Sequence, residues 1–341
     1  MPASLALLGV AAAAVGATHL QARRRARAAE AAWPPEGEEV SLGGVAMHVV
    51  VRGEGPDVVL IHGSAGSLRD FTFSLAPRLA RQFRVLAVDR PGHGWSGTSA
   101  GSDRLSTQAR MVRQAAAVMG AARPIVVGHS YGAAVGLRWA LDAPNAIAGL
   151  VAVAPVSHPW TAPLPLFYRI SSNPVLRHIA NPFVAAWVPA RMIEASVAGV
   201  FAPDPVPDGY IRHFGVPLSA RLSALTENAR QRRALRREVS EMARGYRGMT
   251  TPVEIVHGDR DPVVGLDHHA RALVRDIPEA RLTVLEGIGH MPHHAGEDAV
   301  VAAVERLADR PVPDSPAVVP HAAASTRPRP ARRSGSDGGS R

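Results

Sequence analysis

The residues with the most chemistry in them form a serine held between two glycines, Gly128-His129-Ser130-Tyr131-Gly132. A serine hydroxyl is a weak nucleophile until a base removes its proton. The G-x-S-x-G spacing serves that end by putting the serine on a sharp strand-to-helix turn. Its glycines let neighbouring backbone approach where a Cβ would clash. The context fits: residues 125–127 are an apolar strand and 131–141 a helical pattern, whose N-terminus favours negative charge. A base and its orienting acid should follow in the order Ser, acid, His. Gly289-His290 follows the apolar run 282–285, and Gly258-Asp259-Arg260-Asp261 follows the run 253–256. Both lie at strand C-terminal ends, where open α/β sheets build their sites. Either aspartate could serve as the acid on these grounds. A tetrahedral intermediate also needs two backbone N–H donors. Tyr131, next to the nucleophile, supplies one. Ser64, in the loop after the run 58–61, is expected to supply the other, with Ala65 as its alternative.

The elements that must position these residues alternate along the chain. Strand patterns occupy 45–51, 58–61, 83–88, 125–127, 147–153, 253–256 and 282–285. Helical patterns occupy 106–119, 131–141, 266–274 and 297–308. Such alternation predicts an α/β fold with a mostly parallel sheet and helices on both faces. Residues 155–248 break the alternation, being rich in proline and aromatics and then in arginine. A structureless loop of that length would be implausible, so the segment reads as an inserted helical cap over the site. Phe167 and Trp187 stand as samples of the aromatics that such a cap could turn toward a substrate.

Over residues 40–310 the chain resembles the α/β-hydrolase superfamily. The resemblance rests on H-G-S at 62–64, D-R-P-G-H-G-W-S at 89–96, G-H-S-Y-G at 128–132, G-D-R-D-P-V-V at 258–264 and G-H-M-P at 289–292. It implies the α/β-hydrolase fold and acyl transfer to water, with Ser130 as nucleophile, His290 as base and Asp261 as acid. Asp261 is preferred to Asp259 because the family pattern sets the acid before a short apolar pair, here Val263 and Val264. The apolar cap adds a hydrophobic part to the substrate expected for that chemistry, a small-molecule carboxylic ester. A carbon–carbon bond hydrolase, a lactonase or a perhydrolase would use the same triad. Haloalkane dehalogenases and epoxide hydrolases use an aspartate nucleophile, which Ser130 replaces. A non-catalytic, membrane-tethered binding module is the alternative of another class.

Asp89 and the histidines flanking the motifs, His62 and His129, read as loop-holding residues. His290, His293 and His294 lack an acidic partner at helical spacing, so no metal site and no cofactor is expected. The formal net charge is +9, and the chain contains no cysteine and no lysine. Nine arginines at the two ends account for that charge: Arg23, Arg24, Arg25 and Arg27, then Arg327, Arg329, Arg332, Arg333 and Arg341. Nucleic acid is therefore not an expected partner, and nothing indicates an oligomeric state. Residues 3–20 are apolar or small, and as a helix would span about 27 Å, near the hydrocarbon thickness. Three readings compete: a membrane anchor, a cleaved signal peptide, and an alanine-rich helix or mis-assigned start. The arginines behind the segment favour an anchor over residues 1–22, with the catalytic part in the cytoplasm. The organisation expected is then a basic and polar linker at 23–40, core at 41–154, cap at 155–248, core again at 249–312, and a disordered Arg/Pro/Ser-rich tail at 313–341.

Overall fold

Eight strands form one sheet: β1 (Glu38–Leu42), β2 (Val45–Arg52), β3 (Asp57–Ile61), β4 (Arg84–Val88), β5 (Ile125–His129), β6 (Gly149–Val153), β7 (Val253–Gly258) and β8 (Arg281–Leu285). The computed structural model describes residues 2–310, with side chains from residue 9 onward. The tail expected at 313–341 lies outside the described residues. Strand order is β1-β2-β4-β3-β5-β6-β7-β8. The pairs β1–β2 and β2–β4 are antiparallel, and every pair from β4 to β8 is parallel. Strands covered on both faces read as near-continuous apolar runs, as β6 does throughout, β3 does after Asp57 and β5 does before His129. Val59 and Ile61 join one hydrophobic cluster, with the helices Leu105–Val118 and Tyr131–Asp142. Val58 and Leu60 join the other, with the helices Leu75–Leu79 and Glu297–Ala308. The expected α/β architecture is therefore present.

Between β6 and β7 the chain is helical, in the segments Leu166–Ser171, Arg177–Trp187, Ala190–Phe201, Tyr210–Phe214, Val216–Ser219 and Leu222–Ala243. The last of these carries the arginine run. It buries Ala224, Asn228, Gln231, Leu235, Val239 and Met242, three and four residues apart, and so keeps one face inward. Phe167 and Trp187 do not turn inward: they are 43% and 49% exposed.

The N-terminal segment differs from its expectation. One helix, Pro2–Ala32, runs through the boundary between anchor and linker, and β1 begins at Glu38. The segment 23–40 is thus helix to Ala32 and strand from Glu38, with only the short connection 33–37 between them. Its second half is tied to the insertion, which gives the helix a reason to continue. Ala22 is buried with Ala185 and Ala186. Arg25 Nη1 donates to the Val188 carbonyl at 2.8 Å, Arg221 pairs with Glu30 at 2.9 Å, and Trp33 Nε1 donates to the Arg212 carbonyl at 2.8 Å. Among the described residues no single helix is long and apolar enough to cross a membrane. The alanines and the arginines from 23 onward keep this helix only weakly hydrophobic.

Candidate active site

The turn after β5 shows why its glycines are glycines. A Cβ on Gly132 would stand 2.0 Å from the Ile61 carbonyl oxygen, and one on Gly128 would stand 2.4 Å from the Gly132 carbonyl oxygen. Ser130 itself sits at φ 53°, ψ −111°, a backbone region that costs a non-glycine residue of the order of 1–3 kcal/mol. The surroundings hold it there: Ser130 N–H donates to the Val153 carbonyl at 2.9 Å, and its own carbonyl accepts from Ala133 N–H at 3.1 Å. The helix Tyr131–Asp142 starts immediately after it.

Asp261 and His290 come together from the ends of β7 and β8. His290 Nδ1 donates to Asp261 Oδ2 at 2.7 Å. The other oxygen, Oδ1, accepts the N–H groups of Val263 and Val264 at 2.7 and 2.8 Å. These are the apolar pair noted in the sequence. His257 Nε2 lies 3.2 Å from Oδ2. Burial pushes the Asp261 carboxyl up, but hydrogen bonds from His257 and His290 outweigh it and hold the group well below the usual carboxylate range. Asp259 is exposed and takes the structural part, accepting Gly287 N–H at 2.7 Å. His290 reaches the elbow through its neighbour: His129 Nε2 donates to the His290 carbonyl at 2.9 Å, with the rings 4.9 Å apart. Among the described residues no hydrogen bond joins Ser130 Oγ to His290. Catalytic hydrogen bonds are often long without substrate and tighten when it binds.

The loop after β3 presses on the same point, since a Cβ on Gly63 would meet His129 Nδ1 at 2.9 Å and Ser130 Cβ at 3.5 Å. Its two candidate donors are now distinguished. Ala65 N–H is spent on Asn228 Oδ1 at 2.9 Å, and the Ser64 hydroxyl donates to the same oxygen at 2.8 Å. The backbone N–H groups of Ser64 and Tyr131 have no acceptor among the described residues. Asn228 comes from the helical insertion, whose loop also supports the histidine: Gly289 N–H donates to Asp204 Oδ2 at 2.7 Å.

Behind the site lie groups the sequence reading missed. Arg90 is fully buried and donates to the carbonyls of His62 and Gly63, each at 2.9 Å, and to Gln108 and Gln231. Its guanidinium carbon lies 4.3 Å from the centre of the Tyr131 ring. Burial lowers it to about 10, so it stays charged. His62 accepts Arg90 N–H at Nε2, which makes it the loop-holding residue expected. Asp89 likewise accepts Trp95 N–H at 2.9 Å and Leu68 N–H at 2.7 Å. The acidic partner missing near His293 and His294 is Asp70, 223 residues before His293. Asp70 accepts from Tyr210 OH at 2.7 Å, His294 Nε2 at 2.9 Å and His293 Nε2 at 3.1 Å. Burial raises its carboxyl, and the two histidines bring it well below the usual range. Asp70, His129 and His293 place ligand atoms within 4.8 Å of one another, a set that could hold a metal ion. The carboxylate is already engaged by hydrogen bonds. The only hint in the sequence was one acid amid the apolar residues of Leu68–Phe73.

Comparison with known proteins identifies the family. The model of the alpha/beta hydrolase fold family matches residues 56–297. An uncharacterised protein of Mycobacterium tuberculosis is 25% identical over 270 residues, 77% of this chain and 78% of that protein. The pimeloyl-(acyl-carrier protein) methyl ester esterase of Nitrosomonas europaea is 27% identical over 271 residues, 76% of this chain and 99% of the esterase. An esterase from Exiguobacterium antarcticum superposes with a TM-score of 0.65 at 20% identity, covering 80% of this chain and 100% of its own. That last likeness speaks for the fold alone. Since the family match spans most of the chain and includes the Ser130, Asp261 and His290 turns, the protein belongs to the α/β-hydrolase family.

Proposed function

We propose that the protein cleaves a small-molecule carboxylic ester with a hydrophobic part, through an acyl-enzyme on Ser130. The observation that carries this reading is the Asp261–His290 hydrogen bond of 2.7 Å beside the strained Ser130 turn. In the reaction, Ser130 Oγ attacks the ester carbonyl carbon while His290 Nε2 takes its proton. The carbonyl oxygen becomes an oxyanion and accepts the N–H groups of Ser64 and Tyr131. Asp261 keeps the second proton of the imidazole on Nδ1 and stabilises the imidazolium. His290 then protonates the departing alkoxide, and the C–O bond breaks to leave the acyl-serine. Water, deprotonated by His290, releases the acid and restores Ser130. The insertion serves as the cap. It reaches the oxyanion loop through Asn228, and it sets an apolar cluster of Phe201, Tyr210, Phe214 and Val216 against Met291, next to the base.

Two measurements test this. A fluorophosphonate probe should label the protein and fail on Ser130→Ala, and a series of p-nitrophenyl esters should be hydrolysed by the first protein alone. Each buried CH₂ of the acyl chain contributes about 0.8 kcal/mol if the pocket is apolar. Specificity should therefore climb several-fold per carbon until the pocket is full. Labelling of Ser130→Ala would sink the assignment of the nucleophile. Turnover of a lactone or a β-diketone with no turnover of any ester would keep the triad and change the substrate.

A further inference from the structure

The helix Arg177–Trp187 is inside out for a soluble protein. Its inward face carries Asn181, Pro182, Ala185 and Ala186, while Ile179, Phe183 and Trp187 stand four residues apart on the outside, 71%, 57% and 49% exposed. An amphipathic helix on a globular core has the opposite arrangement. The surface is not confined to this stripe. Among the described residues, eleven of the fourteen exposed large hydrophobic side chains lie in residues 9–29 and 160–201. These segments are joined: the first helix runs along Arg177–Trp187, with Trp187 Nε1 on Thr18 Oγ1 at 3.3 Å. Ahead of that contact, residues 9–17 are exposed throughout, Val10 and Val15 among them. Contiguous apolar surface of this kind marks an interaction site.

Charge selects the occupant. The same two segments expose Arg23, Arg24, Arg27, Arg169 and Arg191 and no acid: Glu194 is half-buried, and Glu30, near the end of the first helix, is half-buried and paired with Arg221. A second copy of this face across a two-fold axis would set arginines against arginines, which is unfavourable. Anionic headgroups satisfy them. We infer that the first helix and the outer face of the insertion form a docking surface for an anionic lipid bilayer. The apolar stripe enters the headgroup boundary and the arginines hold lipid phosphates and carboxylates. The helices Arg177–Trp187 and Ala190–Phe201 are jointly apolar enough for a span but bent by 99° to each other, a shape suited to lying in the interface. Docking uses none of the residues placed in the chemistry and stands whether or not the ester reading does.

The test uses the full chain and no turnover. Vesicles of phosphatidylcholine alone, or mixed with phosphatidylserine, are sedimented with the protein. Binding should be strong to the mixed vesicles, and Trp187 emission should shift to shorter wavelength as the ring leaves water, a shift lost in Trp187→Phe. Ile179→Ser/Phe183→Ser/Trp187→Ser should weaken binding by more than about tenfold. Arg23→Glu/Arg24→Glu/Arg27→Glu should remove the preference for phosphatidylserine. Circular dichroism checks that the variants are folded, and Phe183→Ser alone repeats the comparison with the least disturbance. Absence from both vesicle pellets, or unchanged binding by both serine variants, overturns the proposal. So does a dimer in light scattering that the triple-serine variant dissolves while vesicles bind nothing, which would give the face to a second copy.

Discussion

Asp261→Asn replaces one oxygen by an amide group of nearly equal size, and the structure says which way that amide must turn. Asp261 Oδ1 accepts two backbone N–H groups, from Val263 and Val264, at 2.7 and 2.8 Å. An amide NH₂ in that place would face two donors and leave all of them unpaired, at about 1–3 kcal/mol for each buried group. The asparagine oxygen will therefore take the Oδ1 position, and its NH₂ will take that of Oδ2, 2.7 Å from His290 Nδ1. A donor there requires Nδ1 to be the acceptor, which moves the imidazole proton to Nε2. In that tautomer the nitrogen meant to take the Ser130 proton already carries one. The equivalent loss of an orienting aspartate costs about 10⁴-fold in rate, or about 5 kcal/mol of transition-state stabilisation.

Asp259→Asn is the internal control. Its oxygen can still accept Gly287 N–H, now at 2.7 Å from Asp259 Oδ1, so kcat/KM should fall less than about tenfold. Both variants are compared on p-nitrophenyl butyrate at one pH, with thermal melts to show that the folded fraction is equal. If Asp261→Asn keeps more than a tenth of the activity, the tautomer argument fails. A larger loss at Asp259 would reverse the choice of acid.

Two further outcomes follow from the surroundings of the site. Gly132→Ala puts a methyl group 2.0 Å from a backbone oxygen, so it should lower Tm sharply and abolish labelling of Ser130. Gly199→Ala, in the exposed helix Ala190–Phe201 with nothing within 4 Å of the new carbon, should instead stabilise by up to about 1 kcal/mol; equal melts for the two would refute the steric account. Acid should unfold the protein early. Burial pushes His93 down to about 3 and His293 to about 4, both below their ordinary 6.5. Above pH 6.5 neither the folded nor the unfolded chain protonates these rings, and stability is full. As pH falls from 6.5 toward 4, only the unfolded chain takes up the protons, costing about 1.4 kcal/mol per pH unit for each ring. His48 works the other way, because the Asp89 carboxylate overcomes burial and raises it. The net expectation is a urea midpoint that drops steadily from pH 7 to pH 4.5, and a flat profile would contradict it.

The Ser130 turn was legible because its shape is carried by five consecutive residues: Gly128 is demanded by the Gly132 carbonyl of the same turn, and Gly132, although demanded by the distant Ile61 carbonyl, stands at a fixed spacing from it. Asp261 was legible for a related reason, since its carboxylate is pinned by the N–H groups of Val263 and Val264, two and three residues further on. β1 was not. Its sequence, Glu-Glu-Val-Ser-Leu, is too polar to stand out, and charges belong on an edge strand that must refuse further partners. The expected linker at 23–40 failed on long-range ties, Glu30 to Arg221 and Trp33 to the Arg212 carbonyl, which no local pattern carries.

The helix Leu222–Ala243 shows the most general obstacle. Its arginines announce a solvent face, yet hydrophobic periodicity cannot find the face opposite, because much of that face is polar. Glu227 accepts from the Ser102 hydroxyl at 2.6 Å, Gln231 accepts from Arg90 at 2.6 Å, and Asn228 accepts from Ser64 and Ala65. An apolar stripe there would bury the helix equally well, but it could not satisfy the donors of the loops beneath it. The polar stripe does both. It fixes the insertion to the loop of Ser64 by taking Ala65 N–H and the Ser64 hydroxyl, while the Ser64 N–H has no acceptor among the described residues. Insertion and sheet are thus coupled through the loop of Ser64, so under the proposed function substitutions at Asn228 should change the rate for every ester, whereas substitutions in the apolar cluster around Phe201 should change the preference among them.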